Sequence, residues 1–286
     1  MVDAPGTLYL VATPIGNLGD ITERAVKILR QVSQIAAEDT RRTRGLLSHL
    51  GITGKELHAL DANATERAVE RVVALLREGK DVAFVTDAGT PGVSDPGRAL
   101  LNAALAAGVS VTTLPGASAL TAAVALSGLV AGPFLFLGFL PRQGSGRQEL
   151  LERIRQETLP VVLFEAPHRI AATLTDLAQV SPTRNVAVCR ELTKLYEEVL
   201  RGTLTELAAT EREWLGEIVV VLGEGAKAAP LGSSDSEIKV RAVRLIEGGA
   251  SVRAVADELA ESTGRSRREV YALVLEAKAS VEGAEA

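Results

Sequence analysis

Three short apolar runs in this chain each end in a turn rich in glycine and proline, which narrows the folds open to it. The runs are Leu8 to Ala12, Val82 to Thr86 and Val109 to Leu114. The turns are Thr13-Pro14-Ile15-Gly16-Asn17, Asp87-Ala88-Gly89-Thr90-Pro91-Gly92 and Pro115-Gly116-Ala117-Ser118. Apolar runs of this length, without helical period, read as buried strands. Open α/β sheets bind ligands in the crevice outside the carboxyl ends of their strands. Three such turns therefore predict one small-molecule site assembled from separate segments.

The rest of the chain supplies the helices an α/β sheet needs. Ile21 to Arg30 has apolar residues at helical spacing, with Asp20 placed as its N-cap. Gln34 to Ala37 is a short strand, and Asp39 to Leu50 reads as a helix closed by Gly51. Ala64 to Arg77 is an amphipathic helix, and Asp95-Pro96 opens another that ends at Gly108. Strands alternating with helices of this length predict an α/β fold with a substantially parallel sheet.

A second lobe is expected from residue 117. It begins with the helix Ala117 to Ser127, and strands follow near Phe134 to Leu137, Pro160 to Phe164 and Asn185 to Arg190. Helices are expected near Arg147 to Gln156 and Pro167 to Gln179. After Lys194, Tyr196 to Thr203 and Glu217 to Leu222 look like strands separated by a short helix, which suits a mixed sheet. The expected organisation is thus an α/β lobe over 1–116, a second over 117–223, a linker over 224–236 and a helical module over 237–286. That module predicts helices at 237–247, 251–261 and 266–279, the shape of a helix-turn-helix.

Composition removes several function classes. A chain of 286 residues with 47% hydrophobic and 23% charged residues folds rather than staying disordered. One cysteine, Cys189, excludes an internal disulfide and sits in an apolar run as a small core residue. The histidines His49, His58 and His168 show no metal-ligand spacing, so no metal is expected. The start of the chain lacks the pattern of a signal peptide, and the longest apolar stretch is broken by glycine and proline, so a cytoplasmic protein is expected. A net charge of −5 argues against a broadly cationic nucleic-acid binder. Local basic clusters nevertheless exist.

Several longer motifs resemble a known family. Leu10-Val11-Ala12-Thr13-Pro14-Ile15-Gly16-Asn17-Leu18, followed by Asp20-Ile21-Thr22, is similar to the opening of the tetrapyrrole methylase superfamily. Ala36-Ala37-Glu38-Asp39-Thr40-Arg41-Arg42-Thr43, Asp87-Ala88-Gly89-Thr90-Pro91-Gly92-Val93-Ser94-Asp95-Pro96-Gly97 and Arg190-Glu191-Leu192-Thr193-Lys194 narrow the resemblance. They point to its branch of ribose 2′-O-methyltransferases acting on small-subunit ribosomal RNA. The resemblance covers nearly the whole chain and implies a two-lobed tetrapyrrole methylase-like fold with a small C-terminal helix-turn-helix module. It implies methyl transfer from S-adenosyl-L-methionine to a decoding-region cytidine of 16S ribosomal RNA, within the 30S subunit, by a homodimer. Carried over by motif, Pro14 stands in the first cofactor turn and Gly89, Thr90, Val93 and Ser94 in the second. Ser118 and Ala119 stand in the third, Ala166 marks the second-lobe strand end that completes the pocket, and Asp39 matches a frequent acidic residue after the second strand.

Methyl transfer from a sulfonium needs alignment more than covalent help, since the leaving group is neutral. The attacking hydroxyl must still lose a proton, so a base is expected: Asp39 first, with Glu165 or His168 in reserve. Each has a plainer reading. Asp39 precedes a helix and is placed to cap it; His168 opens a helix and is a candidate surface residue. Asp87 is a natural turn former, although its strand-turn-helix context favours a ligand role.

Arg41, Arg42 and Arg44 read either as a solvated helix face or as a phosphate contact beside the cleft. Arg142 and Arg147 flank a glycine-rich loop, a candidate RNA clamp, and Arg265, Arg267 and Arg268 at a helix start are a further candidate phosphate anchor. Aromatic residues make up only 3% of the chain, so base stacking is sparse. Two rivals remain: a methylase of a small tetrapyrrole-like substrate, and a non-catalytic ligand-sensing regulator. A serine hydrolase is disfavoured because Leu120 stands where the Gly-x-Ser-x-Gly elbow needs glycine. The first turn likewise lacks the dinucleotide fingerprint.

Overall fold

A computed structural model describes residues 4–61, 64–93, 97–225, 234–248 and 250–282. Its first lobe runs β1 (Thr7–Val11), α1 (Glu23–Gln31), β2 (Gln34–Ala37), α2 (Thr40–His49), β3 (Glu56–Ala59), α3 (Glu66–Arg77), β4 (Val82–Val85), α4 (Gly97–Ala106) and β5 (Ser110–Leu114). The five strands form one parallel sheet in the order β3-β2-β4-β1-β5. Because every strand points the same way, all the strand-end turns gather at one edge. β2 and β4 are buried along their whole length. One face of the sheet packs Leu8, Phe84, Val72, Leu76 and Leu100 together. The other packs Val11, Ile35 and Val85 against Ala25, Leu29 and Leu47 of α1 and α2.

The second lobe contains α5 (Ala119–Ser127), β6 (Leu135–Phe139), α6 (Ser145–Gln156), β7 (Val161–Glu165), α7 (Ile170–Val180), β8 (Asn185–Arg190), β9 (Glu198–Thr203), α8 (Leu204–Ala208) and β10 (Ile218–Leu222). Its sheet is mixed, in the order β6-β7-β10-β8-β9, with only the β6–β7 pair parallel. Leu163, Leu174, Leu177, Val188 and Val220 fill one face. On the other, Ala123 of α5 meets Val162, Cys189 and Val219, and Ile15 from the first lobe's turn joins the same cluster. The lobes are thus welded by apolar contact next to the strand-end turns. Both lie in one compact unit, residues 1–155 with 159–224.

Residues 156–158 and 225–286 form a second unit. In it α9 (Asp235–Glu247), α10 (Val252–Thr263) and α11 (Arg267–Glu282) close around Ile238, Val255, Leu259, Val270 and Val274. Ser234 starts α9 with a capping box to Glu237, and Gly264 ends α10 in the left-handed conformation. The short turn from α10 into α11 is of helix-turn-helix form. Most of the expected linker, residues 226–233, lies outside the described residues, as do Ser94 and the Asp95-Pro96 helix start.

Some local readings change. Thr22, not Asp20, caps α1, because a 3₁₀ turn over Leu18–Asp20 intervenes and Thr22 accepts the Ala25 amide. β5 is an edge strand whose Ser110, Thr112 and Thr113 are exposed, so it is not a buried run. β3 has no counterpart in the sequence reading: Glu-Leu-His-Ala is a short edge strand with no apolar signature. α7 begins at Ile170, leaving His168 in the preceding turn.

Two outcomes follow. Burial pushes the Cys189 thiol up to about 11, so it should be inert to aromatic disulfide reagents in native protein and react once denatured. Gly45 sits inside α2 with open space around it, where glycine costs about 1 kcal/mol relative to alanine. Gly45→Ala should therefore raise stability in urea melts by roughly 0.5–1 kcal/mol.

Candidate active site

The three turns are tied to one another by hydrogen bonds. Thr13 N–H donates to the Gly89 carbonyl and Gly89 N–H to the Thr13 carbonyl, both at 3.0 Å. Thr13 Oγ1 donates to the Thr86 carbonyl at 3.1 Å, and Thr90 Oγ1 to the Ala117 carbonyl at 3.2 Å. Gly89 holds a φ of +85°, in the left-handed region that a side chain would strain. The turns thus form one rim at the carboxyl edge of the sheet, facing β7 and β10 of the second lobe.

Between rim and second lobe lies a cleft of about 430 Å³, a size suited to a small ligand. Asp87, Gly89, Thr90, Val93, Ser118, Ala119 and Ala166 all line it. Its apolar wall is Phe139 and Phe164, in edge contact at 5.6 Å between centroids, with Ile15, Leu192 and Val219. Ser118 occupies the N-cap position of α5 yet makes no capping bond with its hydroxyl. The start of α5 therefore presents its orphan amides and that hydroxyl beside the cleft.

Glu38 and Asp87 brace the ends of the adjacent strands β2 and β4. The Glu38 carboxylate accepts the Asp87 amide at 3.1 Å, and the Asp87 carboxylate accepts the Asp39 amide at 3.0 Å. Arg42 Nε lies 3.5 Å from the other Asp87 oxygen. Glu38, Phe139 and Glu217 line the cleft without having been singled out in the sequence, and Arg42, expected beside the cleft, lines it as well. Glu38 carried a signal, being an acid at a strand end, but Asp39 beside it drew the attention.

The remaining candidates are placed differently. Asp39 does not line the cleft: it caps α2 by accepting the Arg41 amide at 2.8 Å and pairs with the Arg41 guanidinium at 2.8 Å. Those bonds hold its carboxyl down to about 2, a poor proton acceptor. His168 is exposed and outside the cleft lining. Glu165 does line it, but its side chain is only 1% exposed and fully engaged. It accepts the Ala166 amide at 2.8 Å and the Thr173 hydroxyl at 2.6 Å, and pairs with Arg169 at 3.2 Å. Pro14 faces an adjoining hollow, and its neighbour Ile15 takes the cleft position.

The arginines divide likewise. Arg41, Arg42 and Arg44 are exposed on α2, and Arg142 is exposed beyond β6. Arg147 is consumed inside the lobe by Asp176 at 2.7 Å, the Thr173 hydroxyl and the Pro141 carbonyl, so it is no clamp for RNA. Arg265 pairs with Asp235 at 2.5 Å and Arg267 with Asp257, whereas Arg268 is exposed and forms no ion pair among the described residues.

A second tie joins the lobes beside the cleft. Asn17 N–H donates to Thr193 Oγ1 at 3.1 Å, and Gly16 lies against the 192–194 backbone and side chains. A Cβ on Gly16 would meet Lys194 Cγ at 2.4 Å and the Leu192 carbonyl oxygen at 2.9 Å. Thr193 and Glu191 both hold positive φ, at 66° and 52°. A β-branched residue there is strained, and the surrounding bonds over-determine it. Glu191 accepts the Glu217 amide at 2.9 Å and Lys194 Nζ at 2.8 Å.

Comparison with known proteins gives the lineage. The family model described as Tetrapyrrole (Corrin/Porphyrin) Methylases matches residues 7–208. A Synechocystis protein named ribosomal RNA small subunit methyltransferase I is 44% identical over 277 residues, 96% of this chain and 99% of the relative. A Xylella fastidiosa protein of the same name is 43% identical over 275 residues, 94% of this chain and 99% of the relative. The chain belongs to the ribosomal RNA small subunit methyltransferase I branch of the tetrapyrrole methylase family. Solved structures of this wider family share the fold. The methyltransferase CobJ aligns with TM-score 0.60 at 22% identity, over 78% of this chain and 95% of its own. A uroporphyrin-III C-methyl transferase from Thermus thermophilus, complexed with S-adenyl homocysteine, aligns with TM-score 0.56 at 18% identity, over 77% of this chain and 98% of its own.

Two variants probe this geometry. Gly16→Ala should destabilise by about 1–3 kcal/mol in urea titration, as expected of overpacking against backbone. Asp39 has a folded-state value near 2 against an ordinary 3.8, so its ion pair stabilises above that ordinary value and is lost as pH falls through about 2. Asp39→Asn should thus melt below the wild type near neutrality, and the two melting temperatures should converge in strong acid.

Proposed function

We propose that this chain methylates small-subunit ribosomal RNA with S-adenosyl-L-methionine, placing the methyl on the ribose 2′-hydroxyl of a decoding-region cytidine in 16S RNA. The working form in this reading is a cytoplasmic homodimer acting on the 30S subunit. The observation that supports it is identity above 40%, over nearly the entire chain, to relatives named as small-subunit ribosomal RNA methyltransferases. Among the described residues no helix is long and apolar enough to cross a membrane.

The donor set of the cleft fits the cofactor. Its exposed charge is mostly acidic, from Glu38, Asp87 and Glu217 against Arg42 alone of the basic lining residues, which suits a sulfonium with an α-ammonium group. Phe139, Phe164 and Val219 offer an apolar wall for the adenine. Gly89, Thr90, Val93, Ser118, Ala119 and Ala166 would hold the rest, through backbone groups and the free Ser118 hydroxyl. The bound cofactor supplies a methyl group on positively charged sulfur.

The chain's own contribution is positioning and proton management. The Thr13–Gly89 bridge and the Gly16–Thr193 contact fix the two walls, so donor and acceptor meet in one geometry. An acceptor hydroxyl that took up the methyl group would have to give up its proton. Asp87 is the acceptor this reading assigns, since its carboxylate lines the cleft and is aimed by the Asp39 amide. Asp39 itself serves as a cap. Arg41, Arg42, Arg44 and Arg142 are the surface cations suited to RNA phosphates.

Incubation of the protein with labelled S-adenosylmethionine and 30S particles should yield 2′-O-methylcytidine on nucleoside analysis. Label on a base atom would overturn the reaction type. Asp87→Asn should slow single-turnover transfer by about 10²-fold or more, the usual size of a lost general base.

A further inference from the structure

Beside the cofactor cleft lies a second hollow of about 290 Å³. It shares Arg42, Thr86 and Asp87 with the cleft and is otherwise walled by Thr13, Pro14, Leu18, Gly45 and Leu46, among others. Transfer to an acceptor oxygen needs that oxygen in line with the methyl and opposite the sulfur. An acceptor must then sit against the donor cleft, across a wall both compartments share. This hollow meets that requirement, and Asp87 stands in the wall.

Gly45 is the second observation. It lies in the middle of α2, where glycine weakens a helix, and apart from its chain neighbours and the helix's own backbone no described residue comes within 4 Å of a Cβ built there. No positive φ and no close packing among the described residues calls for glycine at this position. An isolated glycine in a helix that lines a hollow leaves the helix backbone bare on that side, open to close approach from outside. Around it, Pro14, Leu18 and Leu46 offer apolar faces to a sugar or base, and exposed Arg42 offers a guanidinium to a flanking phosphate.

We propose that this hollow receives the acceptor nucleotide, splayed from single-stranded RNA, and that Gly45 leaves room for its backbone to lie against α2. The proposal rests on the methyltransferase reading above. The geometry places the ribose toward Asp87 and the phosphate toward Arg42.

The test fills the space. Gly45→Leu and Gly45→Ala are compared with wild type in three measurements: melting temperature, calorimetric affinity for S-adenosylhomocysteine, and binding of a fluorescent single-stranded oligoribonucleotide carrying the methylated site. Methylation of 30S particles is followed alongside. Gly45→Leu should fold, keep its S-adenosylhomocysteine affinity, bind the oligonucleotide more weakly and lose about 10²-fold in kcat/KM for 30S, the scale of a displaced reactant. Gly45→Ala should fall between. Wild-type methylation and oligonucleotide binding by Gly45→Leu would overturn the proposal. So would lost S-adenosylhomocysteine affinity in a folded variant, since the hollow would then belong to the donor. Should Gly45→Leu fail to fold, Gly45→Ala decides: undiminished oligonucleotide binding and methylation counts against the proposal. A wild-type protein that methylates no RNA would sink the underlying reading first, before any variant is compared.

Discussion

The reciprocal backbone bond between Thr13 and Gly89 is the constraint on which the rest of this site depends. It joins the turns that follow β1 and β4, two strands that are neighbours in the sheet but distant in sequence. Threonine hydroxyls extend the tie, from Thr13 to Thr86 and from Thr90 to Ala117. Loops at strand ends are ordinarily the mobile part of an α/β domain. Here they are cross-linked into a rim, so the cleft exists before any ligand arrives. A preformed cleft is what an alignment-dependent reaction requires.

The rim alone makes only half a pocket. The other wall comes from a lobe with a different sheet, and the two are registered by a contact too close for any side chain but hydrogen. Gly16 meets residues 192–194 there, and the turn they belong to carries backbone strain at Glu191 and Thr193. Ile15, next to Gly16, and Leu192, within the contacted segment, both face the cleft. Cofactor space and lobe docking are therefore one structural problem with one solution. The motifs Thr13-Pro14-Ile15-Gly16-Asn17 and Arg190-Glu191-Leu192-Thr193-Lys194 are its two halves, separated by more than half the chain.

Charge at the site follows a division of labour. Acids line the cleft, where a cationic donor fits, and arginines crowd the exposed face of α2, where a polyanion fits. Carboxylates that looked catalytic by position turn out to hold the frame. Asp39 is held as an ion by Arg41 at a helix start, and Glu165 is saturated by Arg169, Thr173 and its neighbouring amide. Arg147 likewise stitches Asp176 and Thr173 to the Pro141 corner.

Sequence by itself determined the alternation of strands and helices, the three-turn site and the helical C-terminal module. Those features are encoded locally, in apolar runs, caps and glycine turns that act over a few residues. It also marked Gly89, Thr90, Ser118 and Ala166 for the cleft, since strand-end turns of a parallel sheet converge on one edge. It could not separate Asp39 from Glu38, or Pro14 from Ile15, because adjacent residues at a strand end point opposite ways and only the docked second lobe chooses between them. Nor could it foresee β3, a four-residue edge strand held by pairing to β2, or tell a buried arginine from an exposed one. Those are outcomes of tertiary packing: which side of a turn is covered, and which charge finds a partner, depend on surfaces that meet only after the chain has folded.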